Sequence, residues 1–377
     1  MRGRTLEMLR LLVINGLMLF VLLSLIYWSV PFLQMVLGRS GPSTTTVLPL
    51  PGSHLPNYAN IDWAEQHFRE LYRATDRDTT DFKSFTGWRR KPFDGETIQV
   101  GGPYAQRRTV NRGRNGSSTK AYFFGGSTMW GTGANDEGTI PSQFAALTGM
   151  NSANFGEHGY TAHQSLMLLI QLLQEGHRPG LVVFYDGVNE VAIKCVAELT
   201  PDAHMLESRI DNLLKEPVAS PASFTHYLAP VWHVAGRVKT MLGGTVGIAP
   251  EEGFNCHSNS HKAARIADNV LRDWQMAKRI VESYGAKFIG ILQPAIYVSR
   301  TRRDHLEDVP PLMQVQFRTV YPLIEQRMAE VGDFYNLTSA VDVDEYVYVD
   351  FAHLSPNGNR LVAARIAEIA GSLGLAP

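Results

Sequence analysis

Three residues that could do chemistry together stand far apart in the chain, each at the end of an apolar run or in a glycine-bearing turn. Ser127 follows "KAYFFGG" and precedes Gly131 and Gly133. A serine hydroxyl is a weak nucleophile until a neighbouring base accepts its proton. Histidine suits that task, because its unperturbed pKa of about 6.5 lets it take and return a proton near neutrality. His353 lies in "YVDFAHLSPNG" three residues after Asp350. That spacing, in a turn just before a helix, lets both side chains face one way. Asp350 would then hold one ring nitrogen while the other addresses Ser127, the division of labour of a catalytic triad.

A tetrahedral intermediate also needs donors for its oxyanion. Two backbone N–H groups and one amide are candidates: Ser127, Gly159 in "NFGEHGYT" and Asn189 in "YDGVNE". Gly159 suits close approach, since no Cβ stands in the way. Open parallel sheets bind ligands beyond the carboxyl ends of their strands, and these segments sit at such ends.

The elements around them alternate. Strand-like runs at 121–124, 153–155, 181–185, 287–292 and 333–337 are separated by the helical stretches "TIPSQFAALTG", "QSLMLLIQLLQEG" and "HKAARIADNVLRDWQMAKRIVESYG". A last helix opens with Ser355 as N-cap and Pro356 at its first position. Alternation of this kind predicts βαβ units and a parallel sheet covered on both faces.

"FGGSTMWG", "NFGEHGYT", "DGVNE" and "VDFAHLS", in that order, resemble the four signature blocks of the SGNH (GDSL-type) hydrolases. The resemblance covers residues 119–377. It implies an α/β fold, a flavodoxin-like α/β/α sandwich of about five parallel strands, acting on esters without metal or other cofactor. Gly126 stands where the first block usually has aspartate. Gly159 matches the glycine of the second block best, with Gly156 as the fallback. Glu190 follows Asn189 where the third block usually has aspartate. A membrane-anchored form with "GWRRKPF" ahead of the serine also resembles a subgroup associated with bacterial surface polysaccharides.

The remaining chain sets the context. Its 377 residues are 44% hydrophobic and 19% charged, which is globular composition. A net charge of −1 exerts no general pull on nucleic acid. From Leu11 to Leu37 there is no charged residue. A bilayer core takes about 20 apolar residues, so this stretch predicts one transmembrane anchor. Arg2, Arg4 and Arg10 precede it and Arg39 follows, placing residues 1–10 in the cytoplasm and the rest in the periplasm or outside the cell. Residues 38–60 read as a proline-rich linker and 61–118 as an extension packed on the main domain at 119–377. Within that domain, 195–260 breaks the rhythm and reads as a lid-like insertion.

In an oxidising compartment Cys195 and Cys256 would pair across this insertion, the alternative being two buried thiols. Cys256, His257 and His261 lack a fourth ligand in the sequence, so no metal site is expected. Arg89, Arg90, Arg107, Arg108, Arg112 and Arg114 read as solvated loop charges, with recognition of an acidic glycan or headgroup the alternative. Arg300, Arg302 and Arg303 follow the fourth strand and are candidate substrate contacts. The expected activity is hydrolysis of acyl esters, O-acetyl among them, on a surface glycan or lipid. Acyl transfer to a glycan, or glycan binding without catalysis, are the alternatives.

Overall fold

The structure, a computed structural model, describes residues 14–16, 18–20, 52–75, 79–111, 120–215, 253–306 and 310–375. The chain divides into two units: Met1–Leu48 with Glu216–Gly247, and Pro49–Lys215 with Ile248–Pro377. In the first, residues 14–16 and 18–20 are helical. Most of the expected anchor at 11–37 lies outside the described residues, among which no helix is long and apolar enough to cross a membrane. Most of the expected insertion, residues 216–252, lies outside them too.

The second unit carries the sheet. Its elements are α1 (Ala64–Thr75), β1 (Thr80–Lys83), β2 (Gly87–Arg90), β3 (Phe93–Asp94), β4 (Gln99–Gly101), β5 (Gln106–Arg107), β6 (Lys120–Gly125), α2 (Ser127–Trp130), α3 (Ile140–Thr148), β7 (Asn151–Asn154), α4 (Ala162–Gln174), β8 (Leu181–Asp186), α5 (Val188–Lys194), α6 (Glu207–Lys215), α7 (Ser260–Ser283), β9 (Lys287–Leu292), α8 (Pro311–Val331), β10 (Tyr335–Asn336) and α9 (Pro356–Ser372). Their order in the sheet is β10-β9-β8-β6-β7-β5-β4-β3. The first five pair in parallel and correspond to the five expected strands. β6 and β8 are apolar along nearly their whole length and buried, as strands covered on both faces must be.

The sheet is larger than expected. β3, β4 and β5, all from the extension, add three antiparallel strands beyond β7. Residues 52–60 also depart from the linker reading. Leu55 and Tyr58 are buried in a small cluster with Ala64 and Phe68, because two apolar side chains there find an apolar face on α1.

Connectivity places the site. The chain passes from β6 through α3 to β7 on one side, then from β7 through α4 back across to β8 and on to β9. Right-handed crossovers in opposite directions put α3 on one face and α4 and α7 on the other. The packing agrees, with α3 against α9 and α4 against α7. Between β6 and β8 the direction switches, and the carboxyl ends of these two strands open a crevice. Ser127 begins α2 directly after β6, and Asn189 lies in the first turn of α5 after β8.

Candidate active site

The Ser127 hydroxyl lies 2.7 Å from His353 Nε2. On the far side of the ring, Nδ1 lies 2.6 Å from Asp350 Oδ2. Asp350 Oδ1 accepts the N–H groups of Ala352 and His353, both at 2.8 Å. This tight turn is possible because Asp350 folds back on its own following residues while Ser355 caps the start of α9, its hydroxyl accepting from Gly358 N–H. Desolvation raises the Asp350 carboxyl, but the facing imidazole and the hydrogen bonds from His353 and Ala352 outweigh it and hold it below its ordinary value. The carboxylate is therefore charged at neutral pH, as a group that must stabilise an imidazolium needs to be. His353 is largely covered, with 16% of its side chain accessible.

Asn189 sits against Tyr160 and Gly126. Its Nδ2 donates to Tyr160 O at 2.7 Å, leaving its second proton for another acceptor. The same nitrogen lies so near Gly126 that a Cβ there would overlap it. A side chain at 126 would therefore have to displace the Asn189 amide. Gly159 has φ +77°, a conformation that favours glycine, and its N–H has no acceptor among the described residues. Gly156 N–H already donates to Asn154 Oδ1 at 3.0 Å, which removes the fallback. As the first residue of α2, Ser127 has no intrahelical acceptor for its own N–H.

The remaining candidates lie elsewhere. Arg300, Arg302 and Arg303 are exposed, and none contacts Ser127, His353 or Asp350. Arg302 lies over the Tyr346 ring at 4.0 Å and pairs loosely with Asp304 and Asp344. Cys195 and Cys256 form a buried disulfide joining the end of α5 to the segment before α7. His257 Nδ1 is hydrogen-bonded by Gln316 Nε2 at 2.8 Å, while His261 is exposed. Among the described residues no group of three or more His, Cys, Asp or Glu is arranged to hold a metal ion.

The reading of Arg89, Arg90 and Arg107 as solvated charges is corrected. All three are buried. Arg89 donates to the carbonyls of Tyr104 at 3.0 Å, Phe155 at 3.0 Å and Ala105 at 3.2 Å. Arg90 pairs with Glu157 at 3.3 Å, and its N–H donates to the same carboxylate at 2.8 Å. Arg107 meets Asp136 at 2.6 Å and lies over the Trp130 ring at 4.3 Å. Arg108 is exposed and bonded to Gln99, while Arg112 and Arg114 lie outside the described residues.

These contacts expose residues that the motifs did not single out. Glu157 Oε1 accepts His158 N–H at 2.9 Å, and Glu157 O accepts Tyr160 N–H at 3.1 Å, so the loop carrying Gly159 is pinned from inside. Trp88 Nε1 donates to His158 O at 2.9 Å, and Tyr160 hydroxyl donates to Trp88 O. The "GWRR" strand β2 is therefore a brace for this loop. His158 is held neutral: burial, then Arg90, His353 and Arg107, press its pKa well below the usual value. The one available signal was the run of two arginines beside a tryptophan.

No known family model and no curated protein matches the chain. Among solved structures, a member of the lipolytic G-D-S-L family from Veillonella parvula is similar at 12% identity and TM-score 0.37, over 67% of this chain and 98% of that one. A carbohydrate acetylesterase family member from Sinorhizobium meliloti aligns at 16% identity and TM-score 0.34, over 68% and 99%. A GDSL-like lipase from Bacteroides thetaiotaomicron aligns at 14% identity and TM-score 0.36, over 68% and 89%. Likeness at this level carries no conclusion about activity.

Proposed function

We propose that this chain is a serine esterase anchored in a membrane by residues 11–37, with its second unit outside the cytoplasm. One observation carries the enzymatic reading: the unbroken hydrogen-bonded line from Asp350 through His353 to Ser127, at the crevice where the sheet changes direction.

His353 Nε2 takes the Ser127 proton as the oxygen attacks an acyl carbonyl, and the Asp350 carboxylate stabilises the imidazolium. Negative charge on the former carbonyl oxygen is met by the N–H groups of Ser127 and Gly159 and the Asn189 amide. Collapse expels the alcohol, which takes the proton from His353. Water, deprotonated by the same imidazole, then releases the acid and restores Ser127. No metal or cofactor enters these steps. An O-acetyl group on a surface polysaccharide is the first substrate to test, and a lipid ester the second. The disulfide supports an oxidising compartment.

The test is fluorophosphonate labelling of the full chain together with hydrolysis of p-nitrophenyl acetate. Labelling and turnover are both expected, and both should vanish in Ser127→Ala. A wild-type chain that neither labels nor hydrolyses any short-chain ester overturns the reading. For the anchor, release from membranes by alkaline carbonate would be decisive against it.

A further inference from the structure

Glu190 is buried and accepts two backbone N–H groups from different helices: Ala162 at 2.6 Å and Gly187 at 2.7 Å. Ala162 is the first residue of α4, three residues beyond Gly159. Gly187 caps α5, two residues before Asn189. One carboxylate thus joins the starts of the two helices whose leading segments bear two of the three oxyanion donors. The first N–H groups of a helix have no partner within it, and the helix dipole favours an anion there. A single anion at two helix starts uses both effects.

The charge belongs on Glu190. Asp186 is buried four residues earlier, at the end of β8. Its Oδ2 accepts from Trp274 Nε1 at 2.8 Å, while its Oδ1 has no partner. Burial and mutual repulsion raise the Asp186 carboxyl, and burial raises that of Glu190. Against that burial, two short N–H bonds favour the ionised form on Glu190, whereas Asp186 has a single donor and an unpartnered Oδ1. Lys194, whose charge acts on Glu190, donates an ammonium proton to Ala203 O. Among the described residues no cation is hydrogen-bonded to Glu190, and its oxygens accept from the two backbone segments.

We infer that Glu190 is a positioning residue: its carboxylate sets the Gly159 N–H and the Asn189 amide in register across the crevice. The effect on turnover rests on the esterase reading above, whereas the effect on the backbone does not.

Two variants of the full chain test this. Glu190→Gln keeps the size but can accept only one of the two N–H groups. Ala162→Pro deletes one donor and sets a ring carbon where Glu190 Oε1 now sits, so the carboxylate must leave the start of α4. Proline is tolerated at the first position of a helix, and the preceding Thr161 already has the extended backbone (φ −96°, ψ 169°) that proline requires. In both, hydrogen exchange over 187–189 should rise about tenfold, and in Glu190→Gln also over 159–162, while exchange in β6 and β9 stays at the wild-type level. Turnover of p-nitrophenyl acetate should fall about tenfold with KM within about twofold, less than the 10²–10³ typical of losing an oxyanion donor outright.

If Glu190→Gln loses protection everywhere, Ala162→Pro decides. Unchanged exchange over 187–189 in Ala162→Pro, far from the deleted N–H in sequence, overturns the clamp. Loosened exchange with unchanged kcat overturns its role in register. A wild-type chain that labels with no fluorophosphonate refutes the esterase reading instead, and the exchange result still stands.

Discussion

Arg89 and Arg90 lie buried beneath the loop that carries Gly159 and Arg107 beneath the turn at 131–136, whereas Arg300, Arg302 and Arg303 stand exposed beyond β9. Each buried guanidinium has fixed partners: three carbonyls for Arg89, the Glu157 carboxylate and Ala74 O for Arg90, and Asp136 with Ala134 O for Arg107. The planar fork of arginine fits such sites, and stacking on Trp130 adds to it. Arg302 also has acidic neighbours and a ring, but at 3.8 and 3.9 Å and in contact with water. The same residue type braces the backbone in one region and decorates the surface in the other. Desolvation makes the difference, because a buried ion pair that loses a partner leaves a charge without solvent.

The largest effect should follow from breaking the buried set. Glu157→Ala leaves Arg90 without its counter-ion and should cost about 3–5 kcal/mol of stability, read as a lower midpoint in urea. A loss under about 1 kcal/mol would mean that Arg90 reaches water and that the contrast between the regions is false.

An intermediate effect is expected from pH. His67 lies in the same brace, with Nε2 2.9 Å from Thr132 O. Burial, then Arg107, lowers its pKa to about 4 from 6.5. The unfolded chain therefore binds a proton that the folded chain resists. This contribution is whole above pH 6.5 and is lost as pH falls toward 4, by about 3 kcal/mol at most. Urea midpoints measured from pH 7 to 4 should fall more steeply in the wild type than in His67→Gln. Parallel curves would remove His67 from the account.

Arg302→Ala should do least, changing stability by less than about 0.5 kcal/mol, since exposed pairs contribute little and salt screens them. A larger loss that persists in 0.5 M salt would show that the exposed cluster is structural after all. A raised KM for a glycan ester with unchanged stability would instead sharpen the contrast, one region bracing and the other binding.

Much of the site was legible before any coordinates. Ser127, Asn189 and the Asp350–His353 pair each follow an apolar run or precede a capped helix, and strand ends in a parallel sheet must converge. The choice of Gly159 over Gly156 was not, since both are glycines in one block. The bond from Gly156 N–H to Asn154, together with the positive φ and unaccepted N–H of Gly159, separates them. β3, β4 and β5 are two or three residues long and too short to show alternation, so they became strands by pairing beyond β7. Glu157 and Glu190 were hidden for another reason. Each has a deciding partner in another element, 67 and 28 residues away, and a lone carboxylate in sequence looks like any solvated one.

From its order of residues alone, this protein had its alternation of strands and helices, its polar strand ends and a charge-free stretch near the start. These are local properties, set by hydrophobic pattern, glycine and capping. Which arginines are buried, which glycine keeps a free N–H, and which carboxylates tie the site's two loops were decided only on folding. They depend on which groups lose water together, and desolvation is a property of the assembled volume around a group.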